Sequence, residues 1–172
     1  NSIPTSMSLD DVGNTLRRAM SFVEDSQGII WSIDHWGRLK YIDHKNDKIG
    51  NIFALAQDTV SKKFINVLNV LDDPQHNQII VGTDLGLATV AYENKKVSWK
   101  TVKSKNIDLS KSQFSYLYQD LDGGMWALIG GQLYKLDSSF GLATPFTIVS
   151  GLESAKWIVE EPKGTLWFNS NK

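Results

Sequence analysis

The chain has no cysteine. Disulfides and thiolate metal centres are therefore excluded, while reducing and oxidising compartments both stay open. It has no basic run longer than a pair, and its net charge of −1 at pH 7 is spread along its length. A nucleic-acid partner has no electrostatic footprint on such a chain. No apolar run approaches the roughly 20 residues that a membrane span needs. The opening "NSIPTSMSLDD" has neither an initiator Met nor the apolar core of a signal peptide, so we expect the chain to begin inside something larger or already processed.

What is present is an ordinary globular composition. The 172 residues are 41% hydrophobic and 22% charged, enough for one domain with a real core. Within it one phrase recurs. "FVEDSQGIIWSIDHWGRL" carries Asp25, Gly28, Trp31 and Leu39. "VLDDPQHNQIIVGTDLGL" follows with Asp73, Asn77, Ile80 in the place of the tryptophan, and Gly86-Leu87. "LYQDLDGGMWALIGGQL" repeats it with Asp120, Gly123, Trp126 and Leu133, and "IVEEPKGTLWFNSNK" with Glu161, Gly164 and Trp167. The aromatic place falls at 31, 80, 126 and 167, in steps of 49, 46 and 41 residues.

Periods of about 40–50 residues mark propeller blades or helical solenoids. The local pattern decides between them. Alternating apolar runs (Met20/Phe22, Val67/Val70, Phe114/Leu117, Trp157/Ile158) lead into an acid-x-x-Gly turn and then a β-rich run. This is strand, tight turn, strand. Gly28, Asn77, Gly123 and Gly164 are placed to supply the positive φ such turns need. A second hairpin follows in three of the units, with polar tips "DHKND", "ENKK" and "DSSFG". The sequence thus predicts an all-β chain, a β-propeller segment of about four four-stranded blades near residues 15–62, 63–110, 111–152 and 153–172, the last incomplete. "SLDDVGNTLRRAM" is expected to be a polar lead-in that becomes a strand near Ala19, since Gly13 interrupts the alternative helix.

These motifs resemble the two-component regulator propeller repeat, whose pattern runs roughly V-x-x-I-x-x-D-x-x-G-x-x-W-x-G-T-x-x-G-L. "IVGTDLGL" (Ile80–Leu87) matches its second half but for the tryptophan, and "VEDSQGIIW" and "YQDLDGGMW" match its first half. Asp34, Ile129 and Ser170 stand where the pattern has Thr, and Arg38 is an insertion. The resemblance implies the periplasmic sensor of a membrane-spanning hybrid histidine kinase from Bacteroides-like bacteria, similar in role to receptors for oligosaccharides released from glycans.

The residues themselves offer little chemistry. His35 and His44 each adjoin an Asp, but their spacing runs across a hairpin and no third ligand presents itself, so no metal is expected. There is no nucleophile elbow, and "LIGGQL" lacks the lysine of a phosphate loop. The paired carboxylates Asp72-Asp73 and Glu160-Glu161 are expected to cap the repeated turn, although two carboxylates from different blades could meet as a glycosidase pair. We expect no catalysis and no cofactor.

Trp31, Trp126, Trp167 and Trp157 are expected in the core. Trp36 lies outside the repeat, flanked by Asp34, His35 and Arg38. An aromatic face beside hydrogen-bonding groups is what a sugar-binding surface uses; packing against the next blade is the competing reading. These four residues form the candidate ligand site. The partners expected are an oligosaccharide, further propeller blades of a parent chain, and a second copy of this chain, because an incomplete propeller leaves an open sheet edge.

Overall fold

The computed structural model describes residues 19–52, 65–107, 114–141, 143–146, 158–162 and 164–168. Its elements are all strands. β1 (Ala19–Glu24), β2 (Ile30–Asp34), β3 (Leu39–Asp43) and β4 (Lys48–Asn51) form one antiparallel sheet in chain order. β5 (Val67–Asp73), β6 (Gln78–Thr83), β7 (Gly86–Glu93) and β8 (Lys96–Thr101) form the second sheet, again in chain order. β9 (Phe114–Gln119), β10 (Met125–Ile129), β11 (Gln132–Leu136) and β12 (Ala143–Pro145) form the third. β13 (Ile158–Glu161) and β14 (Thr165–Phe168) pair as a fourth, two-stranded among the described residues. β1 begins at Ala19, where the sequence places a strand; the rest of the lead-in lies outside the described residues, as does Trp157.

The repeated phrase makes the first hairpin of each sheet. Gly28 N–H donates to the Asp25 carbonyl at 2.9 Å, Gly123 to Asp120 at 2.9 Å and Gly164 to Glu161 at 3.0 Å. In the second sheet the turn is one residue longer, and His76 N–H donates to the Asp73 carbonyl at 3.2 Å. Gly28, Gly123, Gly164 and Asn77 have φ of 81°, 84°, 76° and 52°, the left-handed region that this turn imposes.

The carboxylate of the phrase has a second duty. Asp25 Oδ1 accepts from the N–H groups of Gln27 and Ile29, both at 2.9 Å, and Oδ2 accepts the indole N–H of Trp31 at 2.7 Å. Asp120 repeats this, taking Gly124 N–H on Oδ1 and the Trp126 indole on Oδ2, the latter at 2.8 Å. An acid six residues before a tryptophan thus closes the turn and satisfies the one polar atom of a buried ring. Ile80 has no such atom, and Asp73 binds the side chains of His76 (2.8 Å) and Gln78 (2.8 Å) instead.

The chain divides into two compact units, Asn1–Val81 with Thr89–Lys100, and Gly82–Ala88 with Thr101–Lys172. In the first, β1 and β2 lie against β5. Trp31 is fully buried, and its ring centroid lies 5.8 Å from that of Tyr41, which lies 5.1 Å from Tyr92. Tyr41 pairs across the sheet with Gly50, over whose Cα its ring lies so closely that a Cβ there would strike it.

In the second unit Trp126 and Leu133 form a core with Ile158, joined by Tyr116, Tyr118, Leu166 and Phe168. Glu160 ties the same two sheets together, its Oε2 accepting from Leu121 N–H at 2.8 Å and Tyr118 O–H at 3.3 Å. Glu160 is therefore a link between sheets. Leu117 packs against Gly82, where a Cβ would come within 3.2 Å of it.

Trp167 departs from expectation. It is 54% exposed, although Trp31 and Trp126 are 0% and 7%. The reason is positional: each repeat tryptophan faces the sheet that follows its own, and no described sheet follows β13–β14.

Candidate functional site

The loop between β2 and β3 brings together all four residues singled out in the sequence. Asp34 is buried at its base. Oδ1 accepts Trp36 N–H at 3.0 Å and Arg38 N–H at 3.1 Å; Oδ2 accepts Arg38 Nε at 2.8 Å and Nη2 at 2.7 Å, with Lys40 Nζ at 3.7 Å. Burial pushes this carboxyl up, but the Arg38 side chain, the two backbone N–H groups and the Arg38 charge outweigh it, so the group is held below its ordinary value. Asp34 occupies the Thr position of the repeat and performs its task. In the second sheet Thr83 Oγ1 accepts Leu85 N–H at 3.1 Å and donates to the Gly86 carbonyl at 2.7 Å. Asp34 shapes the loop and orients Arg38; its acceptors are already used.

The other three residues form the loop's outer surface. Trp36 is 48% exposed and sits at the tip position that Leu85 holds in the second sheet. The His35 ring centroid lies 3.4 Å from that of Trp36, and the Arg38 guanidinium carbon lies 4.2 Å from the Trp36 centroid. The guanidinium is thus pinned by a buried carboxylate on one side and stacked on an indole on the other. The loop itself is anchored by Gly37, whose carbonyl accepts Val67 N–H at 2.8 Å and whose Cα faces Asn66 too closely for a Cβ.

At the other end of the same sheet is a feature that sequence reasoning missed. The β1–β2, β3–β4 and β7–β8 turns border a cleft of about 540 Å³, lined by Gln27, Ile29, Asp43, Lys45, Asn46, Tyr92, Glu93, Asn94 and Lys95. At its base Tyr92 O–H donates to Asp43 Oδ2 at 2.8 Å. Asn46 Nδ2 donates to the same oxygen at 2.8 Å, and Asp43 Oδ1 accepts the N–H groups of Lys45 and Asn46. Burial raises the Asp43 carboxyl, yet these bonds together hold it below its usual value. For Tyr92, burial and the Asp43 carboxylate both push the phenol well above its ordinary range. Lys45 Nζ donates to the Gln27 carbonyl at 2.7 Å and Lys48 Nζ to the Lys95 carbonyl at 2.6 Å, stitching the rim. The pairing of Asp43 with Tyr92, 49 residues apart, has no sequence signal.

A third cluster of acids lies where β5 meets the first sheet. Burial raises the Asp72 carboxyl, and the charges of Asp25 and Asp73 push it the same way; a Ser26 backbone N–H offsets this only in part. Asp72 Oδ1 is buried without a hydrogen bond. The backbone N–H that Asp72 accepts is that of Ser26, in the β1–β2 turn of the neighbouring sheet. No group of three or more metal-ligating side chains comes together among the described residues.

No protein-family model and no curated protein matches the sequence. Solved structures do. The extracellular domain of the hybrid two component system BT3049 from B. thetaiotaomicron superposes with a TM-score of 0.63 at 20% identity over 88% of the chain. That of BT4673, from the same bacterium, gives 0.63 at 15% over 87%. PorZ, a surface component of the type-IX secretion system of Porphyromonas gingivalis, gives 0.59 at 13% over 88%. Likeness to these proteins and consecutive four-stranded antiparallel sheets settle the architecture. The chain is a β-propeller segment. It spans about a fifth of the length of each of these three proteins, 20%, 21% and 20%, and its sheets are the propeller's blades.

Proposed function

We propose that this propeller segment belongs to the extracytoplasmic sensor of a hybrid two-component regulator, in the periplasm of a cell whose inner membrane the parent protein crosses. Two structural neighbours are extracellular domains of such systems, and the repeat phrase resembles that of the sensors' propellers. The segment works by binding and not by catalysis. Of the carboxylates that meet between the first two blades, Asp25 has its oxygens taken by its turn and by Trp31, and the unbonded oxygen of Asp72 is buried away from any substrate.

The ligand is an oligosaccharide, bound at the Asp34–Arg38 loop. The observation that carries this is the half-exposed Trp36 indole beside a guanidinium already fixed by Asp34. A pyranose stacks on the indole as the exposed His35 swings away, and Arg38 and His35 take its hydroxyls. Further blades of the parent chain complete the frame, and ligand shifts the population of blade arrangements. No cofactor and no nucleic acid is involved.

A scaffold propeller without a small ligand is the second reading. The likeness to PorZ, a surface component of a secretion system, favours it. NMR titration of the chain with glycan hydrolysates separates them. Saccharide-dependent shifts centred on residues 34–38, abolished in a folded Trp36→Ala variant, support the sensor. Unmoved resonances throughout that loop leave the scaffold.

A further inference from the structure

The cleft floored by Tyr92 and Asp43 has the size of a small-molecule site. Its volume of about 540 Å³ falls within the roughly 300–1,000 Å³ of ligand pockets. All of its lining residues belong to one compact unit, Asn1–Val81 with Thr89–Lys100. The first blade supplies the β1–β2 and β3–β4 turns and the second blade the β7–β8 turn. Two bonds hold these walls together, Lys48 Nζ to the Lys95 carbonyl at 2.6 Å and Tyr92 O–H to Asp43 at 2.8 Å. An occupant therefore touches both blades at once.

The lining decides which chemistry fits. Asp43 is already saturated, its oxygens accepting from the N–H groups of Lys45 and Asn46, the Asn46 amide and Tyr92. Tyr92 and Ile29 are 5% and 4% exposed, so the cleft offers no aromatic face on which a pyranose could stack. The rest of the lining is amide and charge. Glu93 and Lys95 flank Asn94 at the β7–β8 turn, and all three are exposed. Lys45, exposed on the β3–β4 turn, gives one N–H to the Gln27 carbonyl at 2.7 Å and keeps two more. Glu24 adds a carboxylate near Lys45, at the same glycine, Gly28. Gln27 and Asn46 direct their amide nitrogens to the Asn77 carbonyl at 3.4 Å and to Asp43 at 2.8 Å, which leaves their carbonyl oxygens to accept. Glu93 repels a simple anion, and Lys45 and Lys95 repel a simple cation. A ligand that carries both charges meets neither penalty.

We propose that this cleft binds a short zwitterionic peptide, its carboxylate on Lys45 and its ammonium on Glu93. The peptide N–H groups donate to the side-chain carbonyls of Gln27 and Asn46, and the Asn94 amide pairs with a peptide group. A primary amide supplies what a peptide group needs, an acceptor for its N–H and a donor for its C=O. The occupant bridges the β3–β4 turn of the first blade and the β7–β8 turn of the second. It sits at the other end of the sheet from the Asp34–Arg38 loop and does not depend on a saccharide binding there.

NMR titration of the chain with trialanine tests this, with N-acetyl-trialanine amide and maltose as comparisons. Trialanine is expected to give saturable amide shifts at residues 27–29, 43–48 and 92–96. The capped peptide loses two exposed ion pairs, each worth a factor of about three, and so binds about tenfold more weakly. Glu93→Gln and Lys45→Met are each expected to weaken trialanine about threefold and to affect the capped peptide less. If Lys45→Met disturbs the β3–β4 turn, Asn94→Gly tests the opposite wall, since glycine accepts the φ of 51° there; it is expected to weaken both peptides. Absence of saturable shifts in the cleft with trialanine up to ~20 mM overturns the proposal. Equal affinity for the free and capped peptides overturns it as well. Maltose bound in the cleft as tightly as trialanine overturns it in favour of a second saccharide site.

Discussion

The indole N–H of Trp31 donates to Asp25 Oδ2 at 2.7 Å, and the other oxygen of the same carboxylate accepts the two N–H groups that close the β1–β2 turn. One side chain thereby couples a turn to a buried ring. Asp25→Ala strands three donors, one of them on a fully buried tryptophan, and is expected to cost about 2–4 kcal/mol. Urea unfolding measures it. Trp31→Phe removes the shared bond from the other side, so the double variant is expected to be less destabilised than the two single effects combined. Full additivity would mean the bond does not couple them.

Gly50 has no room for a side chain because the Tyr41 ring covers it. Gly50→Ala forces that ring away from Trp31 and Tyr92, and overpacking of this kind costs about 1–3 kcal/mol. The penalty is expected to shrink in a Tyr41→Leu background, read from thermal or urea midpoints. An equal penalty in both backgrounds would place the strain elsewhere.

Asp34 and Asp43 both have carboxyl groups held below their ordinary value. Their stabilising contribution is fully present above the unfolded carboxylate pKa of about 3.9, and it is lost as pH falls through the lower folded values. Midpoints measured from pH 6 to pH 2 are expected to drop steeply in the acid. Tyr92→Phe removes one of the bonds that holds Asp43 low, and Arg38→Met the main partner of Asp34. Each variant is expected to be less stable at pH 6 and to lose less on acidification than the parent.

Asp72 titrates in the opposite sense, since burial and the charges of Asp25 and Asp73 raise its carboxyl. Its charged form is a liability, present above the raised folded pKa and absent below the unfolded one. Asp72→Asn is therefore expected to raise the unfolding midpoint at pH 7. That gain should fade as pH falls and the parent's Asp72 takes up its proton. A variant less stable than the parent at pH 7 would contradict this.

Much of the fold was legible because its signals are local. The acid-x-x-Gly spacing reports a turn whose φ only Gly or Asn tolerates easily, and the polar tips "DHKND" and "ENKK" mark turns that the structure places between β3 and β4 and between β7 and β8. The six-residue step from Asp25 to Trp31 looked like two separate requirements, a turn cap and a core ring. It is one hydrogen-bonded device. What could not be read is whatever depends on the neighbouring blade. Trp167 has the same local sequence context as Trp126 and the opposite exposure. Glu160 and Asp72 resemble turn acids but act across blades. The Asp34–Arg38 loop was visible as a cluster, yet the division of labour within it, with Asp34 as support and Trp36 and Arg38 as surface, needed the geometry. The cleft floored by Tyr92 and Asp43 joins turns 49 residues apart and leaves no trace in either.

The coding sequence of the parent gene on both sides of these 172 residues tests the sensor reading most directly. It is predicted to hold more acid-x-x-Gly-x-x-Trp blades, then an apolar span of roughly 20 residues and a histidine-kinase module. A gene that ends after a few further blades, with neither span nor kinase, would contradict the signalling role and leave a propeller that serves as a scaffold.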